Sequence, residues 1–282
     1  MGRTTRAGLC LMALLAICAV AASTAQAAEY ELAGLPELGR CTPEPGIIEG
    51  KKHVHAGQYR GKNCIVELTS HTGKSEWTPG PGANNGFTGT SGTVTFATPS
   101  STVTCTAGSE TGKYATRRTE STTLTLTGCE DSGLKKSCSS TAAAAGEVKS
   151  AALEGLIAYV HAPVEKHGAS VGLELGGSQL IAEFTCGGLL EAHKTIKVEG
   201  AVIGIIKKNS KMTTQFTITF KTENGMQVPS HFESQPAPPL QLSSMFVNGL
   251  EISNTNEAAT LSAVFTQVNA IPLEIKARSK VK

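Results

Sequence analysis

Along much of the chain, apolar side chains alternate with threonine. Val94 and Phe96 alternate with Thr93 and Thr95, and Leu124 and Leu126 with Thr123, Thr125 and Thr127. Phe216, Ile218 and Phe220 alternate with Thr217 and Thr219. A period of two with one apolar face predicts strands that are wet on one side and buried on the other. From Ile196 to Ile206 both parities are largely apolar, and Gly200 and Gly204 interrupt the run. That pattern predicts a central strand buried on both faces, with a bulge or close backbone approach at the glycines. Further strands are expected near 241–252, 260–268 and 273–277. No stretch of a dozen residues carries a helical stripe, and the alanine-rich 141–146 is too short to hold a helix alone.

Turn signals punctuate the strands. Asn224-Gly225, between Phe220 and Val228, predicts a tight hairpin. Two stretches predict irregular backbone: 77–86, rich in Pro, Gly and Asn, and 228–240, with Pro229, Pro236, Pro238 and Pro239. Many short strands with regular turns and no crossover helix favour a sandwich or barrel. The expected fold is a single all-β, antiparallel, sandwich-like domain over 28–282, stapled by disulfides. The cysteine-free C-terminal part is too small for a core of its own and is expected to complete the same sheets.

The first 27 residues read differently. Arg3 and Arg6 precede an apolar run from Ala7 to Ala22, and Ala25-Gln26-Ala27 fits a small-x-small cleavage site. At 16 residues the run is short of the ~20 that cross a bilayer as a helix. A cleaved signal peptide over 1–27 is expected, with a retained anchor as the alternative. The leader carries Arg3 and Arg6 and no acid, so its loss leaves cations and anions equal in number. A neutral chain argues against nucleic acid as a partner. Lys276, Arg278, Lys280 and Lys282 cluster at the end and read as a solvated tail.

Six cysteines follow the leader: Cys41, Cys64, Cys105, Cys129, Cys138 and Cys186. An even count in an exported chain predicts three disulfides among 15 possible pairings. Short closure across the polar loop 130–137 favours Cys129–Cys138; of the three pairings that remain, Cys41–Cys64, tying the N-terminal segment, and Cys105–Cys186, joining two strands far apart in sequence, are preferred. No C-x-x-C pair points to a metal.

The segments Leu35-Pro36-Glu37-Leu38-Gly39-Arg40-Cys41, Tyr59-Arg60-Gly61-Lys62-Asn63-Cys64, Glu76-Trp77-Thr78-Pro79-Gly80-Pro81-Gly82, Ala182-Glu183-Phe184-Thr185-Cys186-Gly187-Gly188 and Met212-Thr213-Thr214-Gln215-Phe216 resemble a family of uncharacterised exported proteins of high-GC Gram-positive bacteria. The resemblance spans most of 28–282. It implies export and an intact domain, and implies nothing about activity.

Chemistry is sparsely signalled. Asp131 is the only aspartate, so Asp-rich calcium loops are excluded. No G-x-S-x-G, H-E-x-x-H, phosphate-binding or dinucleotide-binding motif occurs, and no cofactor is implied. Trp77, beside Glu76 and a Pro/Gly loop, is the candidate ligand-binding residue: its flat ring suits a sugar, unless it plugs the loop base instead. His53 and His55 would share a strand face, but Lys51 and Lys52 repel a metal ion. The expected function is a secreted or cell-envelope, non-catalytic structural or binding protein whose partner is an extracellular glycan or envelope component. The alternative is a polysaccharide hydrolase using paired Glu, for which Glu76 and Glu183 are candidates.

Overall fold

The computed structural model describes residues 34–164, 167–187, 192–233, 241–248, 251–278 and 280–281. The expected leader, and 234–240 of the second irregular stretch, lie outside the described residues. Among these residues there is no helix. The first strands are β1 (Glu37–Pro43), β2 (Ile47–Glu49), β3 (Lys52–Val54), β4 (Val66–Glu67), β5 (Ser75–Pro79), β6 (Gly86–Ser91), β7 (Val94–Ala97) and β8 (Thr102–Cys105). Next come β9 (Ala107–Tyr114), β10 (Thr119–Thr127), β11 (Glu130–Asp131), β12 (Lys136–Ser139), β13 (Val148–Lys149), β14 (Leu153–His161) and β15 (Ser170–Cys186). The last are β16 (His193–Lys207), β17 (Thr213–Glu223), β18 (Met226–Val228), β19 (Gln241–Asn248), β20 (Glu251–Ala258), β21 (Thr260–Lys276) and β22 (Lys280–Val281).

The fold is all-β and antiparallel with three disulfides, as the threonine alternation and cysteine count predict. Eight strands close on themselves. Going round, β10 pairs β9, β9 pairs β6, β6 pairs β21, and β21 pairs β17. Then β17 pairs β16, β16 pairs β15, β15 pairs β14, and β14 returns to β10. Every pairing is antiparallel, so the ring is a closed barrel with no free edge. Its opposed walls supply the two packed sheet faces. Phe87, Leu124, Leu126, Leu153, Leu173, Val202, Phe216, Ile218 and Phe265 fill the interior as one core, the in-facing halves of the alternating strands.

The doubly apolar run forms β16, where Ala201, Val202, Ile203 and Gly204 are all buried. Val202 faces the lumen, while Ile203 joins Val160 and Phe232 in an outer cluster. Register slips between Gly176 and Leu180 on β15. There Gly176 has φ 111°, and a Cβ on it would stand 2.2 Å from the Gly200 carbonyl oxygen. The wall can turn because both residues lack side chains. Asn224 and Gly225, both with positive φ, close the β17–β18 hairpin as expected.

Three expectations are corrected. First, 77–79 are regular: Cys41, Arg40 and Gly39 on β1 lie opposite Trp77, Thr78 and Pro79 on β5. An available β1 edge overrides the loop composition, and Pro79 sits at the strand end, where a missing N–H is tolerated. Second, Cys41–Cys64 forms as expected, but the other bridges are Cys105–Cys129 and Cys138–Cys186. Residues 130–139 form the β11–β12 hairpin, inserted between β8 and β15. Cys129 therefore bonds sideways to Cys105, and Cys138 to Cys186, directly opposite it on β15. Third, two of the terminal cations, Lys276 and Lys280, do not belong to a solvated tail, while Lys282 lies outside the described residues. Lys276 is buried at the end of β21, and Lys280 pairs with Val66.

Candidate functional site

Trp77 is half-buried on β5, packed against Cys41, Tyr59 and the Cys41–Cys64 bridge. Its indole N–H donates to Glu37 Oε1 at 2.7 Å. Glu37 Oε2 accepts from Arg117 Nη1 at 3.2 Å. A Cβ on Gly39 would stand 2.5 Å from the indole, so the ring lies flat on a backbone that only glycine leaves bare. Lys276 stands opposite Glu37 and donates to the Tyr59 hydroxyl at 2.7 Å. Its ammonium sits 4.1 Å from the Tyr59 ring centre and 5.2 Å from that of Trp77. Glu274, the single acid of β21 and two residues before Lys276, is fully buried with no partner for either oxygen. Burial pushes its pKa up to about 7, against the pull of Lys276. The Trp77 ring is thus held by Glu37 and lies near the Lys276 ammonium. Glu76 Oε1 accepts from the Gln58 main-chain N–H at 2.9 Å, which ties the 57–60 segment to β5.

The other flagged residues serve structure too. Asp131 is buried, and its carboxylate accepts from Gly133 N, Leu134 N and Ser101 Oγ. It holds the β11–β12 turn. Glu183 is exposed on β15, 3.6 Å from Lys197. His53 and His55 are 6.3 Å apart between ring centres, and His55 Nδ1 lies 3.2 Å from the Glu44 carbonyl oxygen.

Two acidic constellations emerge that were not flagged. One is an outer groove of about 430 Å³ on the wall formed by β10, β14 and β15. Thr119, Ser121, Glu154, Leu156 and Glu174 border it, with Gly176 and Gly177 at one end. Glu154 lies opposite Gly176, and Leu156 opposite Glu174. The two glutamates are therefore diagonal neighbours on one face. Glu174 Oε2 is buried without a partner, and burial raises the pKa of this carboxyl.

The second constellation lies inside the barrel. Glu110 on β9 and Glu120 on β10 are buried. Gln267 Nε2 on β21 donates to Glu120 Oε2 at 3.4 Å. Strands β10 and β21 are separated by β9 and β6 in the ring, so this contact crosses the lumen. Parity carried the signal: Glu120 is in phase with Leu124 and Leu126, whose side faces the core, whereas Glu154 and Glu174 are out of phase with Leu153 and Leu175.

No family model, no curated protein and no solved structure matches the chain. Among the described residues, no group of three or more acids, His or Cys could hold a metal, and no helix is long and apolar enough to cross a membrane.

Proposed function

We propose that the chain is exported and acts outside the cytosol as a non-catalytic binding or structural protein, with the groove on β10, β14 and β15 as its ligand seat. Export is supported by the leader pattern and by six cysteines all joined in disulfides. The observation that carries the reading is the placement of the carboxyl groups. Two acids that burial shifts strongly, Glu110 and Glu120, are buried on the inward side of their strands, although the β10 segment at Glu120 also borders the groove. The groove offers hydroxyls and carboxylates, at a volume within the ~300–1,000 Å³ typical of small-ligand sites. Such a lining suits a hydroxyl-rich ligand, and an extracellular glycan or envelope component is the class we assign.

A second reading has one observation in its favour. A glycosidase needs two carboxyl groups on one side of its cleft, and diagonal neighbours on paired strands share a face. Glu154 and Glu174 hold that relation. The raised pKa of Glu174 has the sign that a general acid needs. A glycan array and a reducing-sugar assay on residues 28–282, wild type and Glu174→Gln, separate the two. Binding without turnover, lost on substitution, supports the binding protein. Turnover lost on substitution transfers the groove to the hydrolase.

A further inference from the structure

The barrel interior has two unlike layers. Leu124, Leu153, Leu175, Phe220 and Phe265 line a cavity of about 20 Å³ in the apolar layer. The other layer holds Glu110, Glu120, Tyr114, Gln267 and Asn269, all buried. The neighbouring strands make room for both acids. Gly89 lies opposite Glu110, and a Cβ there would stand 2.1 Å from Glu110 Oε1. Gly155 lies opposite Glu120, and a Cβ there would stand 2.5 Å from Glu120 Cγ. Two glycines are thus the sockets of two carboxyl groups.

What faces the pair is neutral. Inward from β6 come Phe87 and Gly89, from β21 Gln267 and Asn269, from β14 Leu153 and Gly155, and from β15 Leu173 and Leu175. Tyr114 on β9 is the one other titratable group there, and its hydroxyl donates to Asn269 Oδ1 at 2.7 Å. No Lys, Arg or His is among these inward residues. Glu110 Oε1, Glu120 Oε1 and Asn269 Nδ2 lack partners. Two ionised carboxylates in such a layer would repel each other at low dielectric with no cation to offset the cost. Protonation removes that cost.

We infer that Glu110 and Glu120 form a proton-operated latch, which closes the barrel interior while the pair keeps its protons and loosens it when both are gone. Burial pushes Glu110 up to about 7, and burial with the nearby Glu110 charge pushes Glu120 up to about 8. Both folded values lie above the ordinary carboxyl value. Between roughly pH 4.5 and 8 the native state therefore binds more protons than the unfolded chain, and its stability falls as pH rises. The pair's contribution is fully present below about pH 4.5 and is lost through pH 7–8.

The test is thermal unfolding of disulfide-intact protein from pH 5 to pH 9 for wild type, Glu110→Gln, Glu120→Gln and the double variant. Glutamine keeps the shape and removes the titration. Wild type should lose at least about 5 °C in Tm over this range, and the double variant most of that slope, with the part due to Glu274 remaining. A flat wild-type profile overturns the latch, and so does an unchanged slope in the double variant. Infrared spectra of the Glu174→Gln/Glu274→Gln protein, which lacks the other two buried carboxyl groups with raised pKa, serve if the double variant does not fold. A buried protonated-carboxyl band present at pH 6 and gone by pH 9 supports the latch; its absence at pH 6 overturns it. Calcium that restores wild-type Tm at pH 9 but not that of Glu110→Gln would make the pair a cation site, and would also overturn it.

Discussion

The Trp77 indole N–H donates to Glu37 Oε1 at 2.7 Å, and Glu37 stands opposite Lys276 on the neighbouring strand. The lone tryptophan, the first acid of β1 and the last cation of β21 therefore make one unit, joined to the Cys41–Cys64 bridge through Tyr59.

Trp77→Phe keeps the ring and removes the donor. Glu37 retains Arg117 but loses a charge-assisted bond in a buried setting, so urea unfolding should show a loss of about 1.5–3 kcal/mol. Binding in the groove should be unchanged, because Trp77 does not border it. Weakened glycan binding by a folded Trp77→Phe would restore the ring as a platform.

Glu274 gives a second pH signature. Its folded pKa of about 7 lies above the ordinary carboxyl value, so its contribution is present at pH 4–5 and is lost as pH rises through 7. Glu274→Gln should flatten unfolding free energy against pH between 5 and 8 and leave the Glu110–Glu120 slope in place. A variant curve parallel to the wild type would mean that Glu274 does not titrate there.

Gly176 and Gly177 separate strain from crowding. Both have positive φ, but a Cβ on Gly177 meets open space and one on Gly176 meets the Gly200 carbonyl. Gly177→Ala should cost about 1–2 kcal/mol for its backbone alone, and Gly176→Ala clearly more. Equal costs by chemical denaturation would show that the register slip relaxes freely.

Strand content was legible because alternation is a local property: the Thr/Leu and Thr/Phe runs became β10 and β17 with the expected faces buried. The Cys129 and Cys138 pairing was not, because it depends on which strands flank the 130–139 hairpin. Likewise 77–79 has the composition of a loop, and only the edge that β1 offers makes it a strand. Glu120 could have been found, since its parity matches Leu124 and Leu126. Its socket, Gly155, and its partner, Gln267, come from β14 and β21, and only barrel closure brings them together.

Removing a staple should scale with loop length. Cys138–Cys186 spans 48 residues and Cys105–Cys129 spans 24. In the chain-entropy model their loss costs about 4 and about 3.5 kcal/mol. Unfolding of the two paired Cys→Ala variants should rank them in that order.

The barrel and its export are tested together by a disulfide map of protein recovered from outside the cell. Trypsin cuts after Lys135 and Lys136, which separates Cys129 from Cys138. Non-reducing mass spectrometry should then find Cys129 joined to Cys105, Cys138 to Cys186 and Cys41 to Cys64, with no free thiol. A Cys129–Cys138 peptide pair, or six free thiols, would contradict the fold and the compartment assigned to it.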